Sequence, residues 1–168
     1  MSISVNFRES AYASETGRVP IMLITLDHES MAEPILLSTD PTQRVLETDT
    51  VLLYGTISRG LTYYFFPMRI KLPDDTDAGP GEMGLEIDNI ERTLTEAIRT
   101  IFSPVSVKVE IVMDNAPDVV DIEWPEYQLT NVRYDASMIT GTLVLDNMMR
   151  EPFPGLSFSP STAPGIFI

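Results

Sequence analysis

The chain contains no cysteine and only one histidine among its 168 residues. The missing cysteine excludes disulfide bonds, thiolate metal sites and a cysteine nucleophile. His28 would have to be the base of any Ser-His-Asp triad, and no serine lies in a G-x-S-x-G pattern. A zinc site with one histidine and no cysteine is equally disfavoured. These absences favour a protein that is not an enzyme and has no catalytic residue, no metal and no cofactor.

Basic residues are also scarce, because 11 Lys and Arg stand against 25 Asp and Glu and give a formal charge of −14. Such a surface repels nucleic acid and anionic lipid. No apolar run approaches the roughly 20 residues that span a bilayer. The start MSISVNFRES lacks the basic and apolar regions of a secretory signal. We therefore expect no specific nucleic-acid binding and no membrane association.

The chain has enough apolar residues, 43% of the total, to form one globular domain with a real core. Residues 2–15 have the spacing of a short N-terminal helix. Apolar runs between turn residues predict strands. The strand segments are RVPIMLITLDH, EPILLST, VLLYGTI, LTYYFFPMRI, MGLEI, VSVKVEIVM, DIEWPEYQLTNVRYD and SMITGTLVLDNMM. This order predicts a mainly β protein, an antiparallel β-sandwich or barrel with one central amphipathic helix.

The central helix is predicted after the strand MGLEI. Asp88 and Glu91 form an aspartate-led capping box, and Ser103-Pro104 ends the helix. Its apolar positions recur with helical spacing, so they predict one face on the core. The residues of this face are Ile90, Leu94, Ile98 and Ile101.

The acidic segment before that helix is LPDDTDAGPGE. Asp74, Asp75 and Asp77 could bind calcium, but their spacing does not supply the alternating oxygen ligands and distal glutamate of a calcium loop. A solvated acidic loop is the favoured interpretation.

A second acidic pair, Glu123 and Glu126, flanks Trp124 and Pro125. Paired carboxylates beside an aromatic residue also occur in glycosidase clefts. Two acids three residues apart on an extended segment often point to different sides, so a strand with a core tryptophan is favoured.

The last segment divides the chain into residues 1–150, a single β-rich domain, and residues 151–168, an extended proline-rich arm. The arm has neither a helical nor a strand period, so its apolar residues must be buried on its own domain or on an adjacent subunit. Both alternatives stay open on the residues alone. The predicted interface residues are Phe153, Leu156, Phe158, Ile166, Phe167 and Ile168.

Residues 69–168 resemble a family of tailed-bacteriophage tail tip or baseplate proteins, known as a domain of unknown function encoded beside tail genes and a cell-wall peptidase. The resemblance lies in the acidic LPDD loop, the LEIDN motif, the following helix and the closing segment EPFPGLSFSPSTAPGIF. Residues 5–68 resemble the family loosely, through ETG and ITLDH. The segment TQRVLETDTVLLYGTISRGLTYYFFP is longer than the usual hairpin of the family.

The resemblance implies a structural virion protein, made in the host cytoplasm, at the distal end of the phage tail. It implies a fold like the tail-tube and distal-tail proteins, in a ring of six or three copies that joins the tube to the hub. The other tail tube, baseplate and hub proteins would be its partners, and the acidic loop would face a neighbour or the ring lumen. The alternative is a tail-associated glycan-binding or hydrolytic module that uses Trp124, Tyr127 and the acidic residues.

Overall fold

The computed structural model describes residues 3–47, 52–72, 81–88, 104–135 and 137–145. These residues form one helix and ten strands, so the expected mainly β class is confirmed. The elements are α1 (Val5–Tyr12), β1 (Pro20–Asp27), β2 (Ile35–Ser38), β3 (Arg44–Glu47), β4 (Leu52–Ser58), β5 (Leu61–Phe65), β6 (Met68–Lys71), β7 (Met83–Asp88), β8 (Val105–Met113), β9 (Ala116–Tyr134) and β10 (Met138–Leu145).

The ten strands form one sheet in the order β3-β4-β5-β2-β1-β8-β9-β10-β7-β6. Neighbouring strands pair in the antiparallel sense, except for a short parallel pairing of β2 with β5. Strands β1 and β2 form one antiparallel hairpin, and β4 and β5 form another. Strand β3 was not predicted, because the segment TQRVLET has little apolar alternation.

Strand β1 lies near the middle of the sheet, between β2 and β8. Its sequence is apolar at consecutive positions, which is typical of a strand covered on both faces. Leu23 and Ile24 point to opposite faces and both are 0% exposed. The burial of both faces of β1 thus agrees with its run of apolar residues.

The segment LTYYFFPMRI is two strands and not the single strand predicted. Pro67 has no N–H to donate to a strand ladder, and the chain changes partner at this point. Before it, β5 pairs with β4 and β2; after it, β6 pairs with β7. The carbonyl of Ser38 accepts from the N–H of Phe66 at 3.0 Å, and the carbonyl of Pro67 accepts from the N–H of Asp88 at 2.9 Å. Phe66 therefore contacts β2 and Pro67 contacts β7, so these two consecutive residues connect strands that are far apart in the strand order.

Two apolar clusters lie on the two faces of the central strands. The larger one, called the main core, is composed of Ile24, Leu26, Leu37, Met83, Leu85, Ile87, Val105, Val107, Val109, Tyr127, Leu129, Ile139 and Leu143. The smaller one, called the hairpin core, is composed of Ile21, Leu23, Tyr63 and Val112. Tyr63 belongs to β5, so the β4–β5 hairpin covers the second face of β1 and β8.

Strand β8 differs from its prediction on the face opposite Val105, Val107 and Val109. The sequence alternates these valines with Ser106, Lys108 and Glu110, which predicts a polar face. In the structure, however, Glu110 is 2% exposed and Val112 is 0% exposed. The reason is that the β4–β5 hairpin covers this face of β8, and no local pattern in the β8 sequence indicates this cover.

Strand β9 is a single strand of 19 residues, longer than the segment predicted. Its pairing with β8 shifts register between Val107 and Val109, whose partners are Tyr127 and Trp124. Pro125 lies in this irregularity, where a residue without an N–H is tolerated. The shift places Trp124 and Tyr127 on the same side, against the main core.

The helix α1 confirms the predicted N-terminal helix. The hydroxyl of Ser4 caps it by accepting from the N–H of Phe7 at 3.1 Å. The N–H of Ser4 itself donates to the carboxylate of Asp121 at 3.1 Å, and Asp121 is buried. None of the helical residues is buried, so this polar contact helps to hold α1 on β9.

Several predicted residues lie outside the described ranges. They are the central-helix residues Ile90, Glu91, Leu94, Ile98 and Ile101, the acidic residues Asp74, Asp75 and Asp77, and the arm from 151 to 168. Asp88, the predicted cap, is the exposed last residue of β7. Within the described ranges, no helix is long and apolar enough to cross a membrane.

Candidate functional site

The most buried charge among the described residues is the carboxylate of Glu110 on β8. It lies directly opposite Leu23 of β1, on the face that the β4–β5 hairpin covers. Arg59 reaches it from the tip of that hairpin with two parallel hydrogen bonds, Nη1 to Oε1 at 2.9 Å and Nη2 to Oε2 at 2.6 Å. This bidentate geometry is the strongest form of an arginine–carboxylate pair.

The hairpin turn presents Arg59 in an uncommon backbone conformation. Arg59 and Gly60 have φ values of 51° and 78°, as in the two-residue turns that match strand twist. Asparagine or glycine is usual at the first position, because other residues are strained there. The backbone N–H of Arg59 donates to the carboxylate of Asp118, and the hydroxyl of Ser58 donates to the carbonyl of Pro117 at 2.7 Å. Contacts with the start of β9 thus hold this turn in place.

Lys108 completes the surroundings of the buried carboxylate. Its Nζ lies 2.7 Å from Oε1 of Glu110 and 3.8 Å from a carboxylate oxygen of Glu123. Glu123 is the cross-strand neighbour of Glu110, so Lys108 lies within ion-pair distance of two adjacent carboxylates. The hydroxyl of Tyr63 accepts a 3.5 Å hydrogen bond from Nη2 of Arg59. We call Arg59, Tyr63, Lys108, Glu110 and Glu123 the latch.

The latch keeps Glu110 ionised. Burial by itself raises the pKa of Glu110, but hydrogen bonds from Arg59 and Lys108 outweigh burial and leave the pKa below its ordinary value. The same hydrogen bond to Glu110 raises the pKa of Arg59, against the effect of desolvation. Both carboxylate oxygens already accept hydrogen bonds from cations. This arrangement suits a structural tie between hairpin and sheet better than proton transfer.

A buried polar contact lies on the same face, farther along the hairpin. The hydroxyls of Ser38 on β2 and Thr56 on β4 are 2.9 Å apart, and both residues are buried. The Ser38 hydroxyl also accepts from the N–H of Asp40 at 3.1 Å. The hairpin is therefore tied to the sheet at its tip and again at Thr56, in the middle of β4.

An apolar groove lies where β2, β4 and β5 meet, with a volume of about 690 Å³. Most of its lining residues are aliphatic, aromatic or proline. They are Glu33, Pro34, Ile35, Leu36, Leu37, Leu52, Leu53, Tyr54, Thr62, Tyr64, Phe65, Phe66 and Pro67. Leu52 and Tyr64 stay exposed at this groove.

The residues considered from the sequence fall in separate places. His28 contacts Ser30 in a turn, with its Nδ1 2.7 Å from the serine hydroxyl. Tyr127 is buried, its hydroxyl donates to the carbonyl of Gly81 at 3.4 Å, and burial raises its pKa. Trp124 packs against the main core beside it. These two aromatic rings thus contribute to the core, and Glu123 belongs to the latch.

Sequence reasoning missed both the latch and the groove. Two local signals point to the latch: an arginine at the first position of a two-residue turn, and a glutamate beside the apolar run IVM. Nothing in the sequence pairs them, because they are far apart in the chain. No group of three or more His, Asp or Glu in the described part of the chain is placed to hold a metal ion.

A protein-family model described as a domain of unknown function (DUF1833) matches residues 6–158 of the chain. The chain belongs to this family. No curated protein matches the chain.

Proposed function

We propose that this protein is a structural component of a bacteriophage tail tip or baseplate, forming a ring that joins the tail tube to the distal hub. The resemblance of residues 69–168 to tail proteins supports this proposal. The family to which the chain belongs is described as a domain of unknown function, so the proposal does not rest on the family match.

We propose further that the sheet closes as a barrel, as in tail-tube-like proteins. Strands β5 and β6 are separated only by Phe66 and Pro67, yet β5 pairs with β2 and β6 with β7. These pairings bring the two halves of the strand order together around the main core. The β4–β5 hairpin would then lie outside the barrel, held by the latch.

The observation that carries the assembly proposal is the apolar groove where β2, β4 and β5 meet, beside the strand β3. Two large apolar side chains, Leu52 of β4 and Tyr64 of β5, stay exposed at this groove. Among the described strands, β3 pairs on one side only, so it is also a sheet edge. Exposed apolar patches and unpaired edges are typical of surfaces that another chain covers.

Two measurements test this function. Electron microscopy of purified phage particles, with antibodies against this protein, should label the distal end of the tail. Native mass spectrometry of the protein should show a closed ring of six or three copies. Particles that lack the protein would contradict the tail assignment, and a chain that stays monomeric in assembled tails would contradict the ring.

A glycan-binding module is the alternative, and it needs an exposed aromatic surface. Because Tyr127 is buried and Trp124 packs on the main core, these two residues do not supply one. Titration of the protein with host cell-wall fragments distinguishes the two functions, since the structural proposal expects no binding.

A further inference from the structure

We propose that the groove between β2, β4 and β5 binds the C-terminal segment, residues 152–168, of a neighbouring copy. The inference rests on the proposed ring and names the contact that joins its subunits. It identifies one described surface as the receptor for the arm.

The two partners match in chemistry. The segment PFPGLSFSPSTAPGIFI has no charged side chain, although the whole chain has a net charge of −14. Among the described residues that line the groove, Glu33 alone is charged and most of the others are apolar. Its volume of about 690 Å³ lies in the range of roughly 300–1,000 Å³ typical of binding clefts. Burial of an uncharged apolar segment costs less electrostatic free energy than burial of a charged part of this acidic chain. The C-terminal segment is therefore a suitable occupant for the groove.

The strand register places the end of β10, the last described strand before the segment, and the groove at the same level of the sheet. Leu26 of β1 pairs with Ile35 of the groove on one side and with Val107 on the other. Val107 pairs with Tyr127, and Tyr127 pairs with Leu145, the last residue of β10. One row of paired residues thus connects the groove with the end of β10.

Along that row the two positions are four strand spacings apart, or roughly 19 Å across the sheet. The end of β10 and the groove therefore lie at the same level of the sheet but on different strands. A contact between different surfaces of identical subunits generates a ring when its rotation closes. Side-by-side copies at equal height would bring β10 of one subunit towards the groove of the next.

A matched pair of variants tests the groove. Leu52 and Ile57 lie on the same strand with 42% and 43% exposure, but only Leu52 lines the groove. Leu52→Glu should abolish ring assembly in native mass spectrometry, whereas Ile57→Glu should retain it. Equal behaviour of the two variants would overturn the proposal. Circular dichroism of both variants verifies that each is folded.

Disulfide trapping identifies the occupant, because the natural chain has no cysteine. Tyr64→Cys and Phe158→Cys should be made as separate variants with different tags and co-expressed. Oxidation should yield a dimer that carries both tags. A doubly substituted chain that cross-links only within the monomer would show that the segment occupies its own groove, and would overturn the proposal.

These outcomes separate the inference from the proposed function. Rings that form with no cross-link, and that tolerate Leu52→Glu, would refute the groove and leave the tail ring intact. A protein that forms no ring and is missing from phage particles would refute both.

Discussion

Arg59 and Glu110 join the tip of the β4–β5 hairpin to the central sheet through two hydrogen bonds of 2.9 and 2.6 Å. The carboxylate is 2% exposed, whereas the guanidinium-bearing side chain is 35% exposed. The two groups therefore differ in their access to water. Without its partner, the guanidinium of Arg59 could still be hydrated, whereas the buried carboxylate of Glu110 could not.

Replacement of the arginine should consequently destabilise the fold strongly. Arg59→Met leaves Glu110 buried with Lys108 as its remaining cation, and breaking a buried pair in this way costs about 3–5 kcal/mol. We expect a loss near the lower end of this range, because Lys108 stays 2.7 Å from the carboxylate. Urea denaturation measures the change.

Arg44→Met is the matched control for that experiment. Arg44 and Glu47 form an ion pair whose side chains are 59% and 68% exposed. Exposed pairs contribute roughly 0–1 kcal/mol, so this variant should unfold close to the natural protein. A loss at Arg59 as small as that at Arg44 would show that the latch is not a stabilising tie.

The latch should also lose its contribution in acid. Hydrogen bonds from Arg59 and Lys108 overcome burial and hold the pKa of Glu110 below its ordinary value of 4.5. The unfolded chain therefore binds this proton more tightly than the folded one, and the stability that Glu110 supplies is complete above pH 4.5. It is lost as the pH falls through the lower folded-state pKa.

The measurement is the free energy of unfolding of the natural protein and of Glu110→Gln between about pH 6 and pH 3. The difference between the two proteins should shrink as the pH falls, since only one of them can protonate this group. A difference that stays constant over the whole range would contradict the role of Glu110.

The hairpin should not tolerate a side chain at Gly55. A Cβ atom there would overlap the backbone carbonyl oxygen of Tyr63 on the paired strand. Overpacking of this kind costs typically 1–3 kcal/mol, so Gly55→Ala should lower the melting temperature. Gly84→Ala in β7 is the control, because its Cβ would meet Lys71 at an ordinary 3.5 Å. Equal melting temperatures for the two variants would show that the close approach at Gly55 is absent in solution.

Removal of residues 151–168 should separate folding from assembly. The described residues by themselves supply two apolar clusters, so we expect truncation after Arg150 to leave the domain folded. We expect circular dichroism to be retained and ring assembly to be lost. Unfolding of the truncated protein would mean that the arm belongs to its own core.

The sequence was sufficient for much of the local structure. Apolar runs located β1, β2, β4, β5, β7, β8 and β10 within a few residues, and spacing predicted α1. These elements follow from periodicity and turn residues, which act over short distances in the chain. The predicted central helix with Leu94, and the arm with Phe158, lie outside the described residues and stay predictions.

Tertiary structure alone decided which polar residues became buried and which strands became neighbours. The alternation in VSVKVEIVM assigned Glu110 to a solvated face, but a hairpin folded over that face and brought Arg59 to it. The segment LTYYFFPMRI was predicted as one strand, and only the pairing of β5 with β2 and of β6 with β7 shows that it divides at Pro67. The physical reason is that periodicity fixes how a segment orients its own side chains. The partner that covers them comes from distant residues, through contacts that no local pattern encodes.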